Sequence, residues 1–234
     1  LSGIPGELIF SGSEIIDSTS QIIDQQNLDK FYIAAPRGEI FDVNGEKIAE
    51  TKLEPHLFIN MRKITNQNSS DYRQIIQYNF PELTTKEINE IFESKDILHF
   101  VINLSSVEYE VRNNLLTNYD AFLIIDLPIR KYIKNELFSH TVGYLGIPNQ
   151  DEFNKFQNAL GNNIVGKNGL ERYYEEYLSG IPGELIFSGS EIIDSKQPIP
   201  GEDLFLSIDS LTQTVTKESL PVSYTHLRAH ETVV

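Results

Sequence analysis

The stretch FYIAAPRGEIFDVNGEKIAET, residues 31–51, sets Ile40 and Ile48 on either side of Asn44-Gly45 and reads as two strands around a turn. Asn-Gly is the strongest short hairpin signal, because a type I′ turn needs positive φ at both central residues. From Ser70 to Ser94 the pattern turns helical. Ile75 and Ile76 mark one apolar face, Pro81 breaks the run, and Thr84 with Glu87 spells a capping box ahead of Ile88, Ile91 and Phe92. Two short helices are expected there. Ile97–Leu104 and Ala121–Ile125, rich in β-branched and aromatic residues, read as strands. Residues 52–128 thus have the pattern of a small α+β insertion.

Further along, VGKNGLERYYEEYLSGIPGE (165–184) predicts a helix with Asn168 as N-cap and Glu171 completing the box. Leu170, Tyr174, Tyr177 and Leu178 would form its apolar side, and Gly180 followed by Pro182 would end it. Glu171, Glu175 and Glu176 would then lie on its solvated face. A strand, ELIFSG, follows. In DLFLSID (203–209), Leu204, Leu206 and Ile208 alternate toward one face, and a new helix begins near Asp209.

One segment occurs twice. LSGIPGELIFSGSEIIDS stands at 1–18 and again, unchanged, at 178–195. Solenoid repeats come as several divergent copies at periods of about 20–50 residues, so the first copy is expected to be an assembly or cloning artefact. The stretch VSYTHLRAHET at 222–232 resembles translated sequencing-adapter DNA, and 221–234 is expected to be a tail of that origin.

Composition narrows the function. Forty per cent hydrophobic residues suffice for an ordinary core, and a net charge of −15 excludes a nucleic-acid surface, which needs clustered Lys and Arg. The chain has no cysteine, and its apolar runs are far shorter than the roughly 18–20 residues of a membrane span. Ser-x-x-Lys, Ser-x-Asn, Lys-Thr-Gly and Gly-x-Ser-x-Gly are all missing, so no serine acyl enzyme is spelled. His226 and His230 have helical metal spacing but fall in the suspect tail, while His56, His99 and His140 are isolated and read as structural. Neither a metal nor a cofactor is expected.

Four separated motifs, taken in order, carry a resemblance. PRGEIFDVNGEKIA (36–49) is similar to the Arg-Gly-x-Ile-x-Asp-Arg-Asn-Gly-x-x-Leu-Ala signature of the class B penicillin-binding proteins, and carries Arg37, Gly38, Asp42, Asn44 and Gly45. IRKYIKNELFSHTVGYLG (129–146) resembles their Arg-x-Tyr-Pro and His-x-x-Gly-Tyr segments, with Arg130, Tyr132, His140, Gly143 and Tyr144. GKNGLERYYEEYLSGIPGE (166–184) resembles a third motif, with Gly166, Gly169, Leu170, Glu171, Tyr174, Gly180 and Gly183. PIPGEDLFLSIDSLTQ, with Asp209, resembles the entry strand to the transpeptidase domain. Val43, Ile133 and Ser207 depart from the usual arginine, proline and threonine.

The resemblance covers roughly residues 21–220 and favours the elongation branch of the family over the division-specific one. It implies an α+β fold: an elongated pedestal of strands and short helices with an inserted small head subdomain. The pedestal, or dimerisation domain, would span 19–220 with its head at about 52–128. It implies a noncatalytic role here, in a parent serine D,D-transpeptidase that cross-links peptidoglycan on the periplasmic side of the inner membrane. The parent's anchor would precede residue 21 and its catalytic domain would follow residue 220. Implied partners are a SEDS-family glycan polymerase, other elongation-complex proteins and a second copy of the chain, with no nucleic acid. A free-standing periplasmic binding protein and the pedestal of a division-specific relative remain the alternatives. Within the motifs, Arg37 and Arg130 offer planar, bidentate donors to carboxylates such as Asp42 or Glu171. The glycines would serve backbone conformation or close approach.

Overall fold

The computed structural model describes residues 28–133, 135–156 and 158–219. The first copy of the repeat, the 221–234 tail and the His226–His230 pair lie outside the described residues.

The molecule is organised on one long ladder. Strand β3 (Lys47–Asn60) pairs antiparallel with β5 (Phe122–Tyr132) from Ala49↔Tyr132 to Ile59↔Phe122. At about 3.3 Å per residue β3 alone reaches roughly 45 Å. Its other edge carries two short partners: β2 (Ile40–Phe41) at the start and β4 (Leu98–Asn103) at the far end. Because side chains alternate along a strand, Leu57 and Ile59 face one way and Phe58 the other.

Each face of the ladder is covered by a different element. At the far end α1 (Ser69–Asn79), α2 (Thr85–Glu93) and α3 (Tyr109–Asn118) bury Ile76, Phe80, Ile91 and Leu115 against Leu57 and Ile59. On the opposite face a three-stranded sheet in the order β1 (Leu28–Ile33), β8 (Gly183–Ser188), β9 (Glu191–Lys196) packs Leu185 and Phe187 on Phe58 and Ile125. At the near end Ile40, Ile48, Phe138 of α4 (Asn135–Val142) and Leu178 form a third core. Between α4 and β8 run the two-stranded β6 (Leu145–Gly146) and β7 (Val165–Gly166), with short helices α5 (Gln150–Lys155) and α6 (Ala159–Asn162).

The α+β expectation holds, as do several elements. Thr84 and Glu87 close the capping box of α2 reciprocally. The second copy of the repeat forms the end of a helix, a left-handed Gly180 at φ +66° and the β8–β9 hairpin. Leu204, Leu206 and Ile208 all pack on the near-end core; β10 (Leu204–Phe205) runs parallel to β2, and a helix follows at 210–219.

Two of the elements read from the sequence differ in kind. The hairpin lies at Asn44-Gly45, but its turn is not type I′: Gly45 has φ +80° while Asn44 stays at negative φ. Gly45 N–H donates to the Asp42 carbonyl at 3.1 Å and Asp42 N–H to the Glu46 carbonyl at 2.9 Å, giving a three-residue loop with glycine in its left-handed position. The Asp42 side chain dictates this by accepting from both Asn44 N–H and Glu46 N–H at 2.8 Å.

The expected helix over 168–178 is instead two, α7 (Gly169–Tyr173) and α8 (Glu175–Leu178), broken at Tyr174. Asn168 makes no side-chain cap bond there, and its Oδ1 accepts from Tyr144 N–H at 3.2 Å instead. Tyr177 is exposed. Glu171 and Glu175, expected on a solvated face, are 0% and 2% exposed.

Candidate functional site

Those two buried acids define the centre of the site. Arg37, from the segment between β1 and β2, donates through Nε to Glu171 Oε2 at 2.5 Å. Its Nη2 donates to the Glu171 carbonyl at 2.8 Å and to Glu175 Oε2 at 2.7 Å. Arg130, near the end of β5, reaches Glu171 from the other side, Nε to Oε1 at 2.9 Å. Its Nη1 donates to the Gly38 carbonyl at 2.7 Å and to Thr51 Oγ1 at 3.1 Å, and the Thr51 hydroxyl donates to the Arg37 carbonyl at 2.7 Å. Two guanidinium groups and two carboxylates thus neutralise one another in a region with almost no solvent contact. Burial works against the Arg37 charge, but Glu171 and Glu175 outweigh it and hold the guanidinium above its ordinary value. Burial, and then the Glu171 charge, push the neighbouring Tyr132 phenol up as well.

Backbone contact seals the junction. Gly166 N–H donates to Glu175 Oε2 at 2.8 Å, and a Cβ on Gly166 would lie 2.2 Å from the Glu171 carbonyl. Gly38 N–H donates to the Leu178 carbonyl at 2.9 Å. Three of the four motif segments therefore meet at one ion-pair cluster.

The fourth segment is tied in by Asp42, which takes backbone donors rather than an arginine. Its Oδ2 accepts Ser210 N–H at 3.1 Å, so the hairpin holds the first turn of the 210–219 helix. Asp209 caps that turn, accepting Leu211 N–H at 2.8 Å and Thr212 N–H at 3.1 Å.

The remaining motif residues sit around the network. Gly143 and Gly169 pack on each other's segment, both at positive φ. Gly183 starts β8 against the Lys196 carbonyl, and Leu170 and Tyr174 are half-buried, Tyr174 on the near-end core. His140 and Tyr144 are exposed and do not join the cluster.

Glu152 centres a second ion-pair group, which sequence reasoning missed. It is 4% exposed and accepts from Lys167 Nζ at 2.5 Å and Arg172 Nη1 at 2.7 Å. The signal was present: Asn149 and Glu152 spell a capping box, and the structure closes it. A cleft of about 210 Å³, lined by Phe156, Asn158, Glu175, Glu176 and Ser179, lies beside the network. Glu175 Oε2 is already committed to Arg37 and Gly166, which leaves this oxygen no role as a base toward the cleft.

Three carboxylates give the molecule an acid-sensitive edge. Glu54 is held at about 2 by Lys131 and then Asn103, and Glu152 at about 2 by Lys167, Asn149 N–H and Arg172. Asp42 also lies at about 2, since the Glu46 and Ser210 donors outweigh burial. Each binds fewer protons folded than unfolded. Its contribution is therefore whole above the unfolded value, near pH 4, and is lost as pH falls toward about 2. The urea midpoint is expected to fall steeply over that acid window; a midpoint holding level down to about pH 2 would refute the assignment.

A strand-built module whose distant segments are stapled by a buried ion-pair cluster is a structural class of protein. The profile of the Penicillin-binding Protein dimerisation domain matches residues 32–206, and the chain belongs to that family. Among its relatives is the peptidoglycan D,D-transpeptidase MrdA of Acinetobacter baumannii, 26% identical over 219 residues, covering 87% of this chain and 32% of that protein. Stage V sporulation protein D of Bacillus subtilis is 28% identical over 205 residues, covering 79% of this chain and 27% of that protein. The chain thus spans between about a quarter and a third of the length of these curated relatives. A solved complex between penicillin-binding protein 2 and MreC from Helicobacter pylori shares the fold, with TM-score 0.62 and 22% identity over 82% of this chain and 38% of that one. Among the described residues no helix is long and apolar enough to cross a membrane.

Proposed function

We propose that this chain is the noncatalytic pedestal of an elongation-type class B penicillin-binding protein. Residues 19–220 form the pedestal and about 52–128 its head. In the parent, the pedestal holds a serine transpeptidase domain away from the inner membrane, on its periplasmic side, where that domain cross-links peptidoglycan. The head contacts a SEDS-family glycan polymerase, and a protein like the MreC of the Helicobacter pylori complex is a further partner. The motif residues Arg37, Arg130 and Glu171 act as staples.

The observation that carries this reading is the Arg37–Glu171–Arg130 cluster, which joins residues up to 134 positions apart and leaves these three side chains engaged with one another. Groups so committed fix geometry and are poorly placed to attack a substrate. The test exports excess chain to the periplasm of a rod-shaped host. It is expected to compete with the host's own enzyme for the polymerase, so that cells widen and round, while a fluorescent penicillin leaves the chain unlabelled. Unchanged cell shape at high expression, or stable acylation of the chain, would overturn the reading.

A further inference from the structure

The geometry points to Asn44 as a site of spontaneous covalent modification, its side-chain amide converting to an aspartyl or isoaspartyl residue through the Gly45 nitrogen. The chain contains two Asn-Gly pairs, 44–45 and 168–169, and both reach solvent. They differ in the room left for ring closure.

At the first pair, residues 43–47 are all exposed, and a Cβ built on Gly45 meets nothing within 4 Å. Gly45 N–H is held by a 3.1 Å bond to the Asp42 carbonyl, and Asn44 N–H and Glu46 N–H by the Asp42 carboxylate at 2.8 Å; all three lie within one exposed turn, and opening it costs far less than global unfolding. At the second pair the backbone is wedged. A Cβ on Gly169 would lie 2.6 Å from the Thr141 carbonyl and 2.7 Å from Gly143 N. The Asn168 side chain is bonded to Tyr144 N–H, and its carbonyl accepts Arg172 N–H at 3.2 Å. Bringing Asn168 Cγ onto Gly169 N would require α7 to leave its seat beside the ion-pair cluster.

The reaction needs only water and hydroxide. Hydroxide takes the Gly45 amide proton, and the nitrogen forms a bond to Asn44 Cγ. The Cγ–Nδ2 bond breaks and that nitrogen leaves as ammonia. One water then opens the five-membered imide. Opening at the side-chain carbonyl gives aspartate; opening at the backbone carbonyl gives isoaspartate, whose main chain runs through Cβ.

The consequence falls on the 210–219 helix. Asp209 is held below the ordinary carboxylate range first by Thr212 N–H, then by Leu211 N–H and by the Asn44 amide. The hairpin holds the start of that helix through Val43 N–H to the Ile208 carbonyl at 3.0 Å and Ser210 N–H to Asp42 Oδ2 at 3.1 Å; modification places an anion two residues from the Asp42 carboxylate, and like charges repel. The isoaspartyl form also lengthens the loop that Asp42 and Glu46 close. The start of the helix is expected to loosen.

The experiment ages the whole chain in warm, mildly alkaline buffer, with a second sample unfolded in urea, and maps peptides by mass spectrometry with isoaspartyl methyltransferase labelling. In urea both pairs are expected to react alike. In the folded chain residue 44 is expected to convert at least roughly tenfold faster than residue 168, because only its turn opens locally. Asn44→Gln should abolish the label at 44, and amide exchange at 210–213 should quicken in aged wild-type chain. Equal rates at 44 and 168 in the folded protein, or no conversion at 44 while the urea sample reacts, would overturn the proposal.

Discussion

Glu171→Gln is expected to destabilise the fold by about 3–5 kcal/mol, a large fraction of the roughly 5–15 kcal/mol that holds an ordinary domain folded. The substitution is isosteric, so no cavity contributes. What it removes is the negative charge between Arg37 Nε at 2.5 Å and Arg130 Nε at 2.9 Å, with both side chains about 5–6% exposed. Arg37 keeps Glu175, but the cluster is left with a net buried positive charge, and the new amide can turn a donor toward a donor. Glu39→Gln is the control, because its partner Lys47 is 42% exposed and solvent screens the pair; no measurable change is expected. Urea unfolding reads both. A double-mutant cycle of Arg37→Met with Glu171→Gln should give a coupling of about 2 kcal/mol or more. Independent effects of the two substitutions would remove the staple from the account.

How much of this could be read from the letters depends on how far each cause lies along the chain. The capping box at Thr84, the break at Pro81 and the alternation through Leu204, Leu206 and Ile208 are local, and the structure reproduces each. The hairpin at Asn44-Gly45 was legible in place but not in type, because the Asp42 carboxylate, two residues upstream, chooses the turn. The ladder was underestimated. Pro55 and Pro128 interrupt both sequence runs, yet β3 and β5 pair straight through them, since Leu53↔Pro128 and Pro55↔Asp126 remain in register. Helix α3 was not expected at all, because Tyr109 and Leu116 are exposed and Leu115 alone is buried, which blurs its period. Glu171 divides the two ways of reading it: helical periodicity puts it on a solvated face, because its partner Arg37 lies 134 residues away and outside any such window, whereas the motif comparison offers it to Arg37 and Arg130, and the structure makes both bonds.

Gly38→Ala and Gly45→Ala, seven positions apart in one motif, are expected to fail for opposite reasons and to different degrees. At Gly45 the added methyl has open space, and the cost is that of placing an L residue at φ +80°, about 1–2 kcal/mol. Gly45→Asn should recover part of it, since asparagine tolerates the left-handed region. At Gly38 no left-handed φ is involved; a Cβ there would lie 1.9 Å from the Glu202 carbonyl oxygen and 2.5 Å from its carbon. Backbone cannot rotate aside as a side chain can. The 201–204 segment must retreat, breaking Gly201 N–H to the Pro36 carbonyl and Leu204 N–H to the Glu39 carbonyl, both 2.8 Å. That movement strips β10 from β2 and draws Leu204 from the near-end core, and it disturbs the Gly38 carbonyl that Arg130 grips. The loss is expected to be about 3 kcal/mol or more. Asparagine or serine at 38 should fare no better than alanine, because any Cβ meets the same carbonyl. Urea midpoints rank the variants, and amide exchange at 201–206 locates the damage. Gly38→Ala no worse than Gly45→Ala, or exchange at 201–206 unchanged, would mean that the segment yields freely and that the close approach at Gly38 holds nothing in place.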